Sequence, residues 1–117
     1  DLEEALNYFF KLDFIESNCV KAWRGIGWCS FISLKYEQAM KYYEKIIEHK
    51  PLAIDYMNAG HVAWVMGDIQ KAAVFYGKAI TASGNRERFL EMFHKDEEAL
   101  LTQGIREEDI PLMLDLL

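Results

Sequence analysis

The sequence predicts an all-α fold, an α-solenoid built of antiparallel helix pairs with about seven helices, and three observations carry the prediction. The first is internal repetition. A step of 33 residues takes Gly27, Ala39, Tyr43 and Ile46 to Gly60, Ala72, Tyr76 and Ala79, and a step back of 34 takes Ala39, Tyr43 and Ile46 to Ala5, Phe9 and Leu12. Units of this length cannot bury their apolar faces alone and do so by stacking on their neighbours. The second is punctuation: Pro51, Gly67-Asp68 and Ser83-Gly84-Asn85 separate runs of helical period. The third is composition, since 117 residues that are 51% hydrophobic suffice for one domain with a core of its own.

Each element follows from local signals. A first helix is expected from Asp1 to Leu12, its early acids favourable to the helix dipole, followed by a turn over Asp13 to Ser17. Helices over Ser17 to Ser33 and Tyr36 to His49 form the central pair, and helices over Leu52 to Met66 and Ile69 to Ala82 form the next. Beyond Asn85 the pattern changes. Phe89, Met92, Phe93, Leu100 and Leu101 recur at helical spacing and predict one long helix over Arg86 to Thr102, stopped at Gln103-Gly104. A last short helix should start with Asp109 as N-cap and Pro111 in its first turn. Its apolar residues Ile110, Leu112, Met113, Leu116 and Leu117 read as a cap on the open end of the solenoid, or alternatively as an interaction tail.

Counting Val20 as unit position one places Trp23 fourth, Ile26 and Gly27 seventh and eighth, Ala39 twentieth, Tyr43 twenty-fourth and Pro51 thirty-second. This resembles the tetratricopeptide repeat (TPR), with Ser30 in place of the pattern's first Tyr and Ile46 where Ala is usual. The resemblance implies a right-handed α-solenoid. It divides the single domain into residues 1–19, the second helix of a truncated repeat; 20–52 and 53–84, two complete repeats; and 85–117, divergent cap helices. Gly in a helix costs about 1 kcal/mol relative to Ala, so Gly27 and Gly60 imply a contact too close for a side chain, against the helices that carry Ala39 and Ala72. Because Asp1 stands at the start of a second helix, the chain is expected to be a piece of a longer protein. Leu2, Leu6, Phe9 and Phe10 should then lack their partner, which makes self-pairing through the first helix an expectation.

Several function classes are disfavoured. A net charge of −6 is unfavourable for nucleic acid, whose binding depends on neutralising phosphates. No stretch approaches the roughly 20 apolar residues of a membrane span, and no signal-peptide pattern opens the chain. Cys19 and Cys29 have no metal spacing and read as free thiols of a reducing, cytoplasmic setting. His49, His61 and His94 fall in separate helices without zinc-site spacing. Phosphate-loop, dinucleotide and nucleophile-elbow motifs are absent, and the pair Gly25 and Gly27 lies in mid-helix. The expectation is therefore a non-enzyme that needs no cofactor or metal.

The resemblance also implies a binding surface. The repeat positions that commonly line a TPR groove are here Lys21, Arg24, Trp28, Phe31 and Ile32, then Ile54, Met57, His61, Trp64 and Val65. The set is aromatic and cationic and contains no acid, although acids outnumber bases 19 to 13 in the chain. It implies a protein or peptide partner, acidic with apolar anchors; the other reading of Trp28 and Trp64 is that they extend the core. Some TPR domains clamp the terminal carboxylates of heat-shock chaperones, and Arg24 and Asn58 occupy two positions of that clamp, but Trp28 replaces its Asn. The expected function is a protein-interaction scaffold or adaptor. The alternatives are a structural, self-associating segment of a larger array, or a small chaperone for secreted proteins.

Overall fold

Eight helices and no strand make up the fold in the computed structural model, which describes all 117 residues. They are α1 (Leu2–Ile15), α2 (Val20–Ile32), α3 (Tyr36–Ile47), α4 (Ala53–Val65), α5 (Ile69–Ser83), α6 (Arg86–Lys95), α7 (Glu97–Thr102) and α8 (Asp109–Asp115). The helices group into two compact units, Asp1–Pro51 and Leu52–Leu117. Their boundary falls at Pro51, and each of the pairs α2/α3 and α4/α5 lies within one unit.

In the first unit α2 packs on both α1 and α3. The contact with α3 is set by Gly27, where a Cβ would stand 2.9 Å from the ring of Tyr43. Ser30, the departure from the repeat pattern, is fully buried and accepts a 2.8 Å hydrogen bond from Gln38 Nε2, tying α2 to α3. α1 runs three residues beyond the expected Leu12. Asp13 lies inside the helix and accepts a 2.8 Å hydrogen bond from the indole N–H of Trp23, so the last turn is held to α2 rather than released into a loop. The next helix starts at Val20 and not at Ser17, because Asn18 takes a left-handed φ of 53° and breaks the path.

The expected lone face of α1 is corrected at two of its four residues. Leu6 is buried, and Phe9 lies against Gly25, where a Cβ would come within 2.4 Å of its ring. Leu2 and Phe10 are exposed as expected, and Tyr8, Phe14 and Ile15 extend the exposed side of α1.

The second unit is built on α4 and α5, the most extensively packed pair, with α6 laid against both. A Cβ on Gly60 would be 2.7 Å from the Tyr76 ring, the counterpart of the Gly27 contact. Tyr76, Phe89 and Phe93 cluster with centroids 5.6–5.8 Å apart, and all three rings are fully buried. The helix expected over Arg86 to Thr102 is two helices, which raises the count from seven to eight. It breaks at Asp96, whose N–H bonds to Phe93 O and whose carboxylate turns inward to His61.

Asp109 is the first residue of α8 and not its N-cap, since its carboxylate is held by the Arg106 guanidinium at 3.3–3.4 Å. α8 buries Ile110 and Met113 and leaves Leu112 and Leu116 exposed.

Two helix ends repeat in register. Lys35 N bonds to Ser30 O and Leu34 N to Phe31 O; 33 residues later Asp68 N bonds to Ala63 O and Gly67 N to Trp64 O. These paired bonds are the Schellman closure, which requires a left-handed residue at its hinge. Gly67 supplies it at φ 91°, whereas Leu34 supplies it at φ 67° with a side chain to accommodate.

Candidate functional site

On α2, Lys21, Arg24, Trp28 and Ile32 recur at spacings of three and four and so share one face. Lys21 is exposed, the other three are half-buried, and Phe31 at the edge of the stripe is buried. The Trp28 ring lies 5.5 Å from that of Phe31, which is itself 6.0 Å from Tyr36, so the indole rests on an aromatic base. α2 contains two cations and no acid. In a chain of net charge −6, this is a local reversal of sign.

On α4 the corresponding residues divide. Ile54 is exposed, Asn58 and Val65 are half-buried, and Met57, His61 and Trp64 are buried. His61 is fully enclosed, not surface-accessible as expected: Nδ1 is 2.6 Å from the Tyr76 hydroxyl and Nε2 is 3.0 Å from Asp96 Oδ2. A carboxylate only accepts, so Nε2 carries the proton and Tyr76 donates to Nδ1. Burial lowers the His61 pKa from its usual 6.5, with Asp96 pulling the other way, and burial raises that of Tyr76 well above 10.0. The packing of α6 over α4 and α5 takes this histidine out of any ligand-facing role. Asn58 Oδ1 is buried without a hydrogen-bond partner.

Two further surfaces lie outside the expected set. A shallow depression along α1 is lined by Asn7, Phe10, Lys11, Phe14 and Ile15. A more enclosed groove of about 460 Å³ lies in the second unit, where Trp64 and Ile69 meet α8. Sequence periodicity marked the apolar face of the last helix, but nothing in it told which of those leucines the cap would leave uncovered. Cys19 and Cys29 are free thiols; burial raises the pKa of Cys29. No three His, Cys, Asp or Glu residues are grouped so as to hold a metal ion, and no helix is long and apolar enough to cross a membrane.

The all-helical architecture and the recurring Gly–Tyr contacts meet a direct match: a family model described as tetratricopeptide repeat covers residues 56–86. The chain contains a tetratricopeptide repeat. The matched stretch takes in most of α4, all of α5 and the turn into α6, including both sides of the Gly60–Tyr76 contact. A TPR is ordinarily an element of protein–protein interaction, and the match supports that general role. A comparison with curated proteins gives no match.

Proposed function

We propose that this TPR-containing chain is a non-catalytic adaptor whose α2 face receives an acidic peptide segment bearing one or two large apolar residues. The observation that carries the reading is the composition of that face: Lys21 and Arg24 beside Trp28 and Ile32, on a helix without a single acid. The cations attract and orient the segment, while the indole and Ile32 take its apolar side chain. Affinity should be modest and salt-sensitive, because exposed charges are screened over about 8–10 Å at physiological ionic strength. The test is titration of labelled acidic and charge-reversed peptides followed by anisotropy. Lys21→Glu with Arg24→Glu should abolish binding of the acidic peptide while the melting temperature stays within a few degrees. Retained binding would refute the assignment.

A second reading, self-association through α1, is favoured by the exposure of Phe14 at 92% and Ile15 at 76%. Phe14→Glu should then shift a dimer to monomer in light scattering. A chain already monomeric at high concentration would exclude it.

A further inference from the structure

We propose that the second unit carries a separate docking groove for a cationic amphipathic helix, between the α4–α5 turn and α8. The groove, about 460 Å³, has Trp64 and Ile69 on one side and Leu112 and Leu116 on the other, with Asp109 and Asp115 in its lining. Trp64 is 7% exposed and forms the base, while Ile69, Leu112 and Leu116 are 52%, 62% and 63% exposed and form the walls. Three large aliphatic side chains left in water around one concavity are an unfilled contact, not scattered surface residues.

The chemistry of the occupant follows from the charge. Both ionisable side chains in the lining are carboxylates, and residues 107–117 contain four acids and no base. Asp109 shares its charge with the Arg106 guanidinium at 3.3 Å, which also stands 3.5 Å from Glu108, so Asp115 is the lining carboxylate that carries the charge argument. Asp68 adds a further exposed acid beside Ile69. An acidic segment would be repelled here. A helix with aliphatic residues one turn apart and Lys or Arg along its flank would be complementary in both shape and charge.

The groove is also formed in advance. Arg86 donates from Nη2 to Leu114 O at 2.9 Å and from Nη1 to Leu117 O at 3.0 Å, which fastens the end of α8 to the start of α6. Binding then costs little ordering of the receptor. This groove is independent of the α2 face and takes a partner of opposite charge.

The experiment uses the whole chain and two short labelled helical peptides with leucines one turn apart, one with lysines along the flank and one with glutamates there. The lysine peptide should bind, and more weakly as salt is raised; the glutamate peptide should not. Leu112→Glu with Leu116→Glu should reduce the affinity by about tenfold or more with the melting temperature little changed, since both side chains are exposed. Asp115→Lys should weaken binding several-fold and flatten its salt dependence. Lys21→Glu should leave it intact, which separates this groove from the α2 face. Equal binding of both peptides, or full binding by the Leu112 and Leu116 variant, would overturn the proposal. So would self-association of the chain that the same two substitutions abolish, because the occupant would then be a second copy.

Discussion

His61 and Asp96, 35 residues apart in the chain, are joined by a 3.0 Å hydrogen bond from Nε2 to Oδ2, and that bond sits where the helix begun at Arg86 stops. The imidazole, already bonded to Tyr76 on its other side, would otherwise leave a buried donor unpaired. α6 therefore ends one residue short of Asp96, and the carboxylate completes the interior of the second unit.

Removing that carboxylate should be costly. Asp96→Ala leaves the His61 N–H without an acceptor, an expected loss of about 1–3 kcal/mol, read from urea unfolding. Asp96→Asn keeps an acceptor and should lose less. Equal stabilities for the wild type and Asp96→Ala would show that the bond contributes nothing.

Stability should fall towards both ends of the pH scale through the same pair of rings. Burial lowers the pKa of His61, so its contribution is full above the ordinary value of 6.5 and is lost as pH falls through the lower folded value. Tyr76 is raised above its ordinary 10.0; its contribution is full below that value and declines as pH rises towards the folded one. Melting curves of His61→Gln should show a flatter acid limb, and those of Tyr76→Phe a flatter alkaline limb. Limbs as steep as in the wild type would assign the pH dependence to other groups.

The helix contacts made over glycine are open to test by adding volume. Gly60→Leu should destabilise by more than about 2 kcal/mol through overpacking against Tyr76. Gly25→Ala, whose Cβ would meet the Phe9 ring, should cost about 1–3 kcal/mol. Combining it with Phe9→Leu should recover part of the loss, a favourable coupling measured by a double-mutant cycle. Strict additivity of the two substitutions would contradict the contact.

Two positions should instead gain. Gly77 lies inside α5 with nothing within 4 Å of an added Cβ, so Gly77→Ala should stabilise by about 0.5–1 kcal/mol. Leu34 holds the left-handed hinge that Gly67 holds in the next unit, and Leu34→Gly should relieve about 1 kcal/mol. Scanning calorimetry would show both as raised melting temperatures; a fall in either would mean that the side chain makes a contact worth more than the strain.

The sequence by itself determined the helix class, the order of the first five helices and the close approach of Gly27 and Gly60 to the helices that carry Ala39 and Ala72, while the structure showed that the rings of Tyr43 and Tyr76 make those contacts. A repeat fixes equivalent positions on equivalent helices, and the glycines recur where the tyrosines recur. Its 33-residue step even aligned Leu34 with Gly67, although the left-handed turn there showed only in the backbone. Tertiary structure alone decided the rest. Gly25 looked like an incidental neighbour of Gly27, yet it makes the closest approach of any glycine, because Phe9 of α1 happens to lie across it. His61 falls on the helix face assigned to the partner, but α6 covers it. Helical period says which residues share a face; whether that face meets solvent, a ligand or another helix depends on what packs there. In the divergent segment after Asn85 no second copy of the pattern fixes that neighbour. The break at Asp96, the inward turn of its carboxylate and the exposure of Leu112 and Leu116 therefore came from packing and not from the order of the residues.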